Sequence, residues 1–189
     1  MKVNFSAISD FTKLLSFSAV FLTPPFVEGL SVAVTYLPSD ATLGKAESVT
    51  SFTVQYSGID GLTVGYGQGD VETTTGTELD DTAMYVKYVY GSVTVGYQEN
   101  EADGPAAAND IDFEAFGISY AVSDNLTIAY NQSESKVASD TVAQEASGIS
   151  ASFTSGGMTI AGVMNDVDNV AFDAANDTEG YELNLSFAF

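Results

Sequence analysis

The chain has 189 residues, of which 45% are hydrophobic, yet its mean hydropathy is only +0.10. That is too apolar for disorder, and no run approaches the roughly 20 apolar residues of a spanning helix. With no Cys and no His, thiol catalysis, a Ser-His-Asp triad and zinc sites using those ligands are excluded, and a formal net charge of −21 with no Arg argues against a nucleic-acid partner.

Residues 1–29 stand apart from the rest of the chain. Lys2 and Lys13 precede a short apolar run, Leu14–Leu22, broken by Ser16 and Ser18. Three readings stay open: the remnant of a truncated gene product, a signal peptide, or an extra strand or plug at Leu15–Leu22. Asp10, the Pro24-Pro25 pair and the lack of an A-x-A-like site weigh against a signal peptide.

From Glu28 onward one pattern recurs five times: EGLSVAVTY, DGLTVGYGQ, GSVTVGYQE, DNLTIAYNQ and GGMTIAGVM. Their first apolar residues, Leu30, Leu62, Val93, Leu126 and Met158, are 32, 31, 33 and 32 apart, a fixed-period repeat. Within each period a rising run such as Leu62–Gly67 follows a short turn. A falling run precedes the next turn: Phe52–Tyr56, Met84–Tyr90, Phe116–Tyr120 and Ile149–Phe153. Alternation of apolar with small or polar residues marks strands with two unlike faces. The repeat unit is therefore a hairpin, with short turns at Ser57–Gly61, Gly91–Ser92, Val122–Asn125 and Ser155–Gly157. Long connections are expected at 38–47, 69–80, 99–112, 133–145 and 165–179, and most of the 26 carboxylates fall there or at their rims.

One face carries aromatics at two heights. Tyr56, Tyr88, Tyr120, Phe153 and Phe187 lie near the short turns; Tyr36, Tyr66, Tyr97 and Tyr130 lie toward the long connections. Tyr suits a membrane interface because its ring is apolar and its hydroxyl stays wet. Leu, Val, Ile and Met fill the space between these belts. A soluble β-sandwich would explain any single strand, but the other face holds Thr, Ser, Gly, Ala, Gln and Asn rather than the Lys and Glu of a solvent face. The reading is an all-β, antiparallel transmembrane β-barrel over 30–189 with a water-filled lumen. Ten strands from Leu30 have the parity for antiparallel edges to meet, so closure or near-closure is expected.

The last segment, Tyr181–Phe189, alternates throughout and ends on Phe189. It resembles the terminal strand of Gram-negative outer-membrane proteins, in which that residue is an insertion signal read by the barrel-insertion machinery. Leu22–Val32 is similar to the Pro-x-Phe-x-Gly-Leu turn of general porins of the alphaproteobacterial type. With the Leu-Thr-Val-Gly-Tyr strands, the chain from about Leu15 onward looks like the C-terminal portion of such a porin. The resemblance implies a 16-stranded barrel of which strands 6 or 7 to 16 are present, and a homotrimer at full length. It also implies a bacterial outer-membrane location and passage of small hydrophilic solutes and ions. The family's early strands, inward loop and pore-wall Arg cluster have no counterpart here.

Parity puts Gln55, Gln68, Lys87, Gln98, Asn131, Glu182 and Asn184 on the lumen wall. Asp70, Glu72, Asp80, Asp81, Asp103, Asp110, Asp166 and Asp168 are expected to form an acidic mouth that favours cations. The alternative is a non-conducting structural or adhesive barrel whose acidic loops bind partners. An outer-membrane protease is disfavoured by the missing His. No cofactor is expected. Asp166–Asn169 and Asn109–Asp112 offer oxygens to Ca2+ but lack the Gly and distal Glu of an EF-hand loop.

Overall fold

The computed structural model describes residues 19–23, 27–38, 47–73 and 78–188. They form one sheet of eleven strands: β1 (Ala19–Thr23), β2 (Leu30–Leu37), β3 (Glu47–Ile59), β4 (Leu62–Thr73), β5 (Glu78–Tyr90), β6 (Val93–Asp103), β7 (Ile111–Ser123), β8 (Leu126–Val137), β9 (Gln144–Ser155), β10 (Met158–Asp168) and β11 (Thr178–Phe187). Each strand pairs antiparallel with its neighbours in sequence, in the order β1 to β11. A single turn of 3-10 helix at Ala107–Asn109 interrupts one connection, and a tight turn with left-handed backbone at Asn169, Ala171 and Phe172 interrupts another.

The hairpin period is written into the register. Leu30, Leu62, Val93, Leu126 and Met158 sit directly opposite Tyr56, Tyr88, Tyr120, Phe153 and Phe187. Turns of two residues close Asp60–Gly61, Gly91–Ser92, Asp124–Asn125 and Gly156–Gly157. Gly61 and Gly91 have φ of +73° and +56°, the left-handed backbone that tight hairpins need and a Cβ disfavours. Each turn is also tied to the next hairpin. The N–H groups of Ser57, Val89, Ala121, Thr154 and Ala188 donate to the carbonyls of Gly29, Gly61, Ser92, Asn125 and Gly157 at 2.7–2.9 Å.

Two expectations change, and one open reading gains support. The ten strands from Leu30 are present, and β1 adds an eleventh, pairing Ala19–Thr23 with Tyr36–Val32, as the extra-strand alternative for residues 1–29 allowed. Among the described residues no ladder joins the first and last strands. Closure of the ten is not seen because β1 occupies the edge of β2 that β11 would have needed, and with eleven strands the two outer ones run the same way. The connections are also shorter than expected: β6, β8 and β10 run on to Asp103, Val137 and Asp168, leaving 104–110, 138–143 and 169–177.

The two faces differ as the alternation requires, and neither carries a dry core. The chain exposes 12412 Å², against about 8600 Å² expected for a globular protein of its mass. Among the described residues only Leu37 and Ala115 are buried hydrophobics. Both belong to the face opposite the tyrosines, whereas Tyr66, Met84, Tyr88, Phe116, Tyr120, Ile149 and Phe153 are exposed on the other. A sheet with one uncovered apolar face and no second layer must meet lipid or a partner there.

Candidate functional site

Mid-strand, the face opposite the tyrosines is mostly small and polar, with Tyr85, Phe113 and Val163 as larger exceptions. One cross-strand row runs Thr63, Lys87, Gly96, Gly117, Asn131, Gly148, Asn165 and Gly180. Glycines keep this wall flat, so Lys87 rises between Thr63 on one side and Gly96, followed by Gly117, on the other. The amide oxygens of Asn131 and Asn165 converge above Gly148, where a Cβ would collide. Further along, Asn184 donates from Nδ2 to Glu182 Oε1 at 2.7 Å. Gln55, Lys87, Gln98, Asn131, Glu182 and Asn184 thus share the face assigned to them.

Gln68 does not. It pairs with Phe52 and Thr82 on the tyrosine face and accepts a hydrogen bond from Tyr66 Oη at 3.4 Å. The reason recurs along the chain: Tyr97 donates to Glu99 at 3.5 Å and Tyr130 to Gln132 at 3.4 Å. Residues two apart in a strand share a face, so a polar group after each tyrosine meets its hydroxyl where the apolar band ends. The Tyr-x-Gln/Glu spacing at 66–68, 97–99 and 130–132 was the available signal.

The expected acidic mouth is also redistributed. Asp70, Glu72, Asp80, Asp103, Asp166 and Asp168 lie on strands, on the tyrosine face, beyond the tyrosine belt. Glu99, Glu114, Glu134, Glu145 and Asp168 stand directly opposite one another across β6 to β10 on that same face. Among the described strand side chains, only Asp81 and Glu182 place a carboxylate on the opposite face. Asp110 is in a connection, accepting the Gly104 N–H at 3.0 Å. The connection after β10 folds onto the one after β8, with Asn169 Nδ2 donating to Ala143 O at 2.8 Å and the Ala171 N–H to Gln144 Oε1 at 2.9 Å. Among the described residues no group of three or more carboxylates is gathered to hold a metal ion. Phe189 lies outside the described residues.

Tyr85 was not foreseen. It alternates with Met84 and Val86 onto the polar face, lies across Gly65, where a Cβ would strike its ring, and donates from Oη to Gln55 Oε1 at 2.8 Å. Beside it is a pocket of about 210 Å³. Its floor is Gly67, Gly69, Ala83 and Ala102, and its walls are Ser51, Thr53, Tyr85, Gln98, Asn100 and Asp81. Gln98 Nε2 donates to Asn100 Oδ1 at 2.9 Å.

The family model described as Gram-negative porin matches residues 9–146. No curated protein sequence matches. Among solved structures, the anion-selective porin of Comamonas acidovorans superposes with a TM-score of 0.68 at 14% identity, covering 90% of this chain and 58% of that one. Salmonella typhi OmpF, in complex with daunomycin, gives 0.68 at 13% identity, covering 88% and 60%. A mutant of the Rh. blastica porin gives 0.66 at 16% identity, covering 91% and 67%. The chain thus spans about three fifths of the length of the first of these structures, and all share its fold.

Proposed function

This chain belongs to the Gram-negative porin family and is a protein of the bacterial outer membrane; on that premise we propose that it forms the wall of a water-filled channel through which small hydrophilic solutes diffuse passively. One observation carries the reading: from β3 to β11 the sheet keeps an apolar, tyrosine-bordered face exposed, while mid-strand on the opposite face Gly, Ser, Thr, Asn and Gln predominate, with large apolar side chains such as Leu79 and Phe113 toward the strand ends. Hydrocarbon requires the first and a conducting lumen the second.

The reading extends to a homotrimer, as the family resemblance implies, and to a weak cation preference. Among the described side chains the lumen face carries Asp81 and Glu182 against Lys87, a small imbalance compared with the −21 of the whole chain, because the described strand-end carboxylates point toward the headgroup side. The native absence of Cys makes a clean test available. In folded protein in lipid vesicles, Asn131→Cys should react with a membrane-impermeant maleimide and Ile128→Cys should not. Equal labelling of both, or labelling of Ile128→Cys alone, rules out the assignment of faces. In planar bilayers, reversal potentials under a salt gradient should favour cations by less than tenfold; anion preference removes that part of the reading.

A further inference from the structure

The pocket beside Tyr85 has a chemistry that simple wetting of a channel wall does not require. Its floor is backbone and methyl groups: Gly67, Gly69, Ala83 and Ala102. Tyr85 stands as one wall, held over Gly65 and bonded to Gln55. The remaining groups are rich in acceptors. Gln98 donates to Asn100 through its amide nitrogen, which leaves its own carbonyl oxygen as an acceptor, and Asp81 adds a carboxylate at the loop-ward end. Lys87, the basic residue on this face of the same strand, lies six residues away, about 20 Å along the backbone. A lumen wall elsewhere flat from repeated glycine is here indented, apolar below and negative at one end.

We propose that this pocket is a solute-binding subsite for small organic cations: a primary ammonium carried on a compact, ring-sized apolar body. The proposal rests on the reading of this face as the lumen. Size sets the upper limit, since a cavity of about 150 Å³ accommodates benzene and 210 Å³ leaves room for a short aminomethyl arm. Charge sets the class. A carboxylate with no Lys within reach among the described residues attracts an ammonium and repels an anion, and the apolar floor gives the body a surface to leave water for.

The test uses three probes of one shape: benzylamine, benzyl alcohol and benzoate. Binding to the full chain, folded in detergent, is followed by saturation-transfer NMR titration. Benzylamine should bind saturably, benzyl alcohol at least fivefold more weakly, and benzoate not at all. Asp81→Asn should weaken benzylamine at least fivefold and leave benzyl alcohol unchanged. Gly67→Val should weaken both. Its Cβ has room, with Thr53 Cγ2 nearest at 3.4 Å, so the sheet tolerates it while the pocket fills. Equal binding of all three probes, or benzylamine binding that survives both substitutions, overturns the proposal. Planar-bilayer conductance is measured alongside: a conducting chain that ignores benzylamine removes the subsite alone, and a chain that binds benzylamine without conducting removes the channel.

Discussion

Replacing Glu134 with Gln should stabilise the protein, although Glu134 touches nothing that would ordinarily mark it for removal. Glu134 faces Glu114 on one side and Glu145 on the other, directly across the ladder. Opposed Cβ atoms are about 5 Å apart, and flexible carboxylates splay to about 6 Å. At that distance in water each neighbour costs about 0.7 kcal/mol, and two cost about 1.4 kcal/mol. Screening at 0.15 M salt, where the Debye length is about 8 Å, roughly halves this. Urea unfolding of the detergent-folded chain should therefore show Glu134→Gln more stable by about 1 kcal/mol at 20 mM NaCl. The gain should shrink severalfold at 500 mM. Glu182→Gln is the contrast, since Glu182 accepts a hydrogen bond from Asn184 on the other face and should not gain stability. A Glu134→Gln variant that is destabilised, or whose gain ignores salt, refutes the register that places these carboxylates in one row.

Two further substitutions probe the faces. Ile118→Lys puts a charge on the tyrosine face between Phe116 and Tyr120 and should cost about 2–4 kcal/mol of folding stability in lipid. Ser119→Lys, one residue on and on the face opposite the tyrosines, should cost little; heat-modifiable migration on gels compares them. Gly65→Ala should displace the Tyr85 ring and cost about 1 kcal/mol through loss of its bond to Gln55. In a Tyr85→Ala background the same change should be neutral or favourable, and a double-mutant cycle without that coupling would show that Tyr85 does not rest on Gly65.

The hairpin period, the two aromatic belts and the sidedness of Lys87, Asn131 and Glu182 were legible because lipid and water impose unlike demands on alternate residues. That contrast vanishes beyond the tyrosines. Both faces of 69–73, 99–103 and 133–137 are wet, so hydropathy no longer alternates although the ladder continues. Strand ends there read as loops, and their acids read as a ring around the mouth rather than a row beside it. Gln68 was assigned to the lumen by parity, but residues two apart in a strand share a face, so counting from Tyr66 places it with the tyrosines. β1 escaped notice as a definite strand because Ala19–Thr23 has no alternation to display, and Tyr85 because its type matched the opposite face.

The bond from each short turn to the following hairpin makes the sheet almost one-dimensional: among the described residues, every unit of about 32 residues pairs only with its immediate neighbours in the ladder. Stability in such a chain accumulates by adjacent pairs. Deleting or copying one whole unit leaves all other ladders in register, so circumference can change by two strands at a time without redesigning the rest. A wall assembled this way can alter its bore through duplication alone.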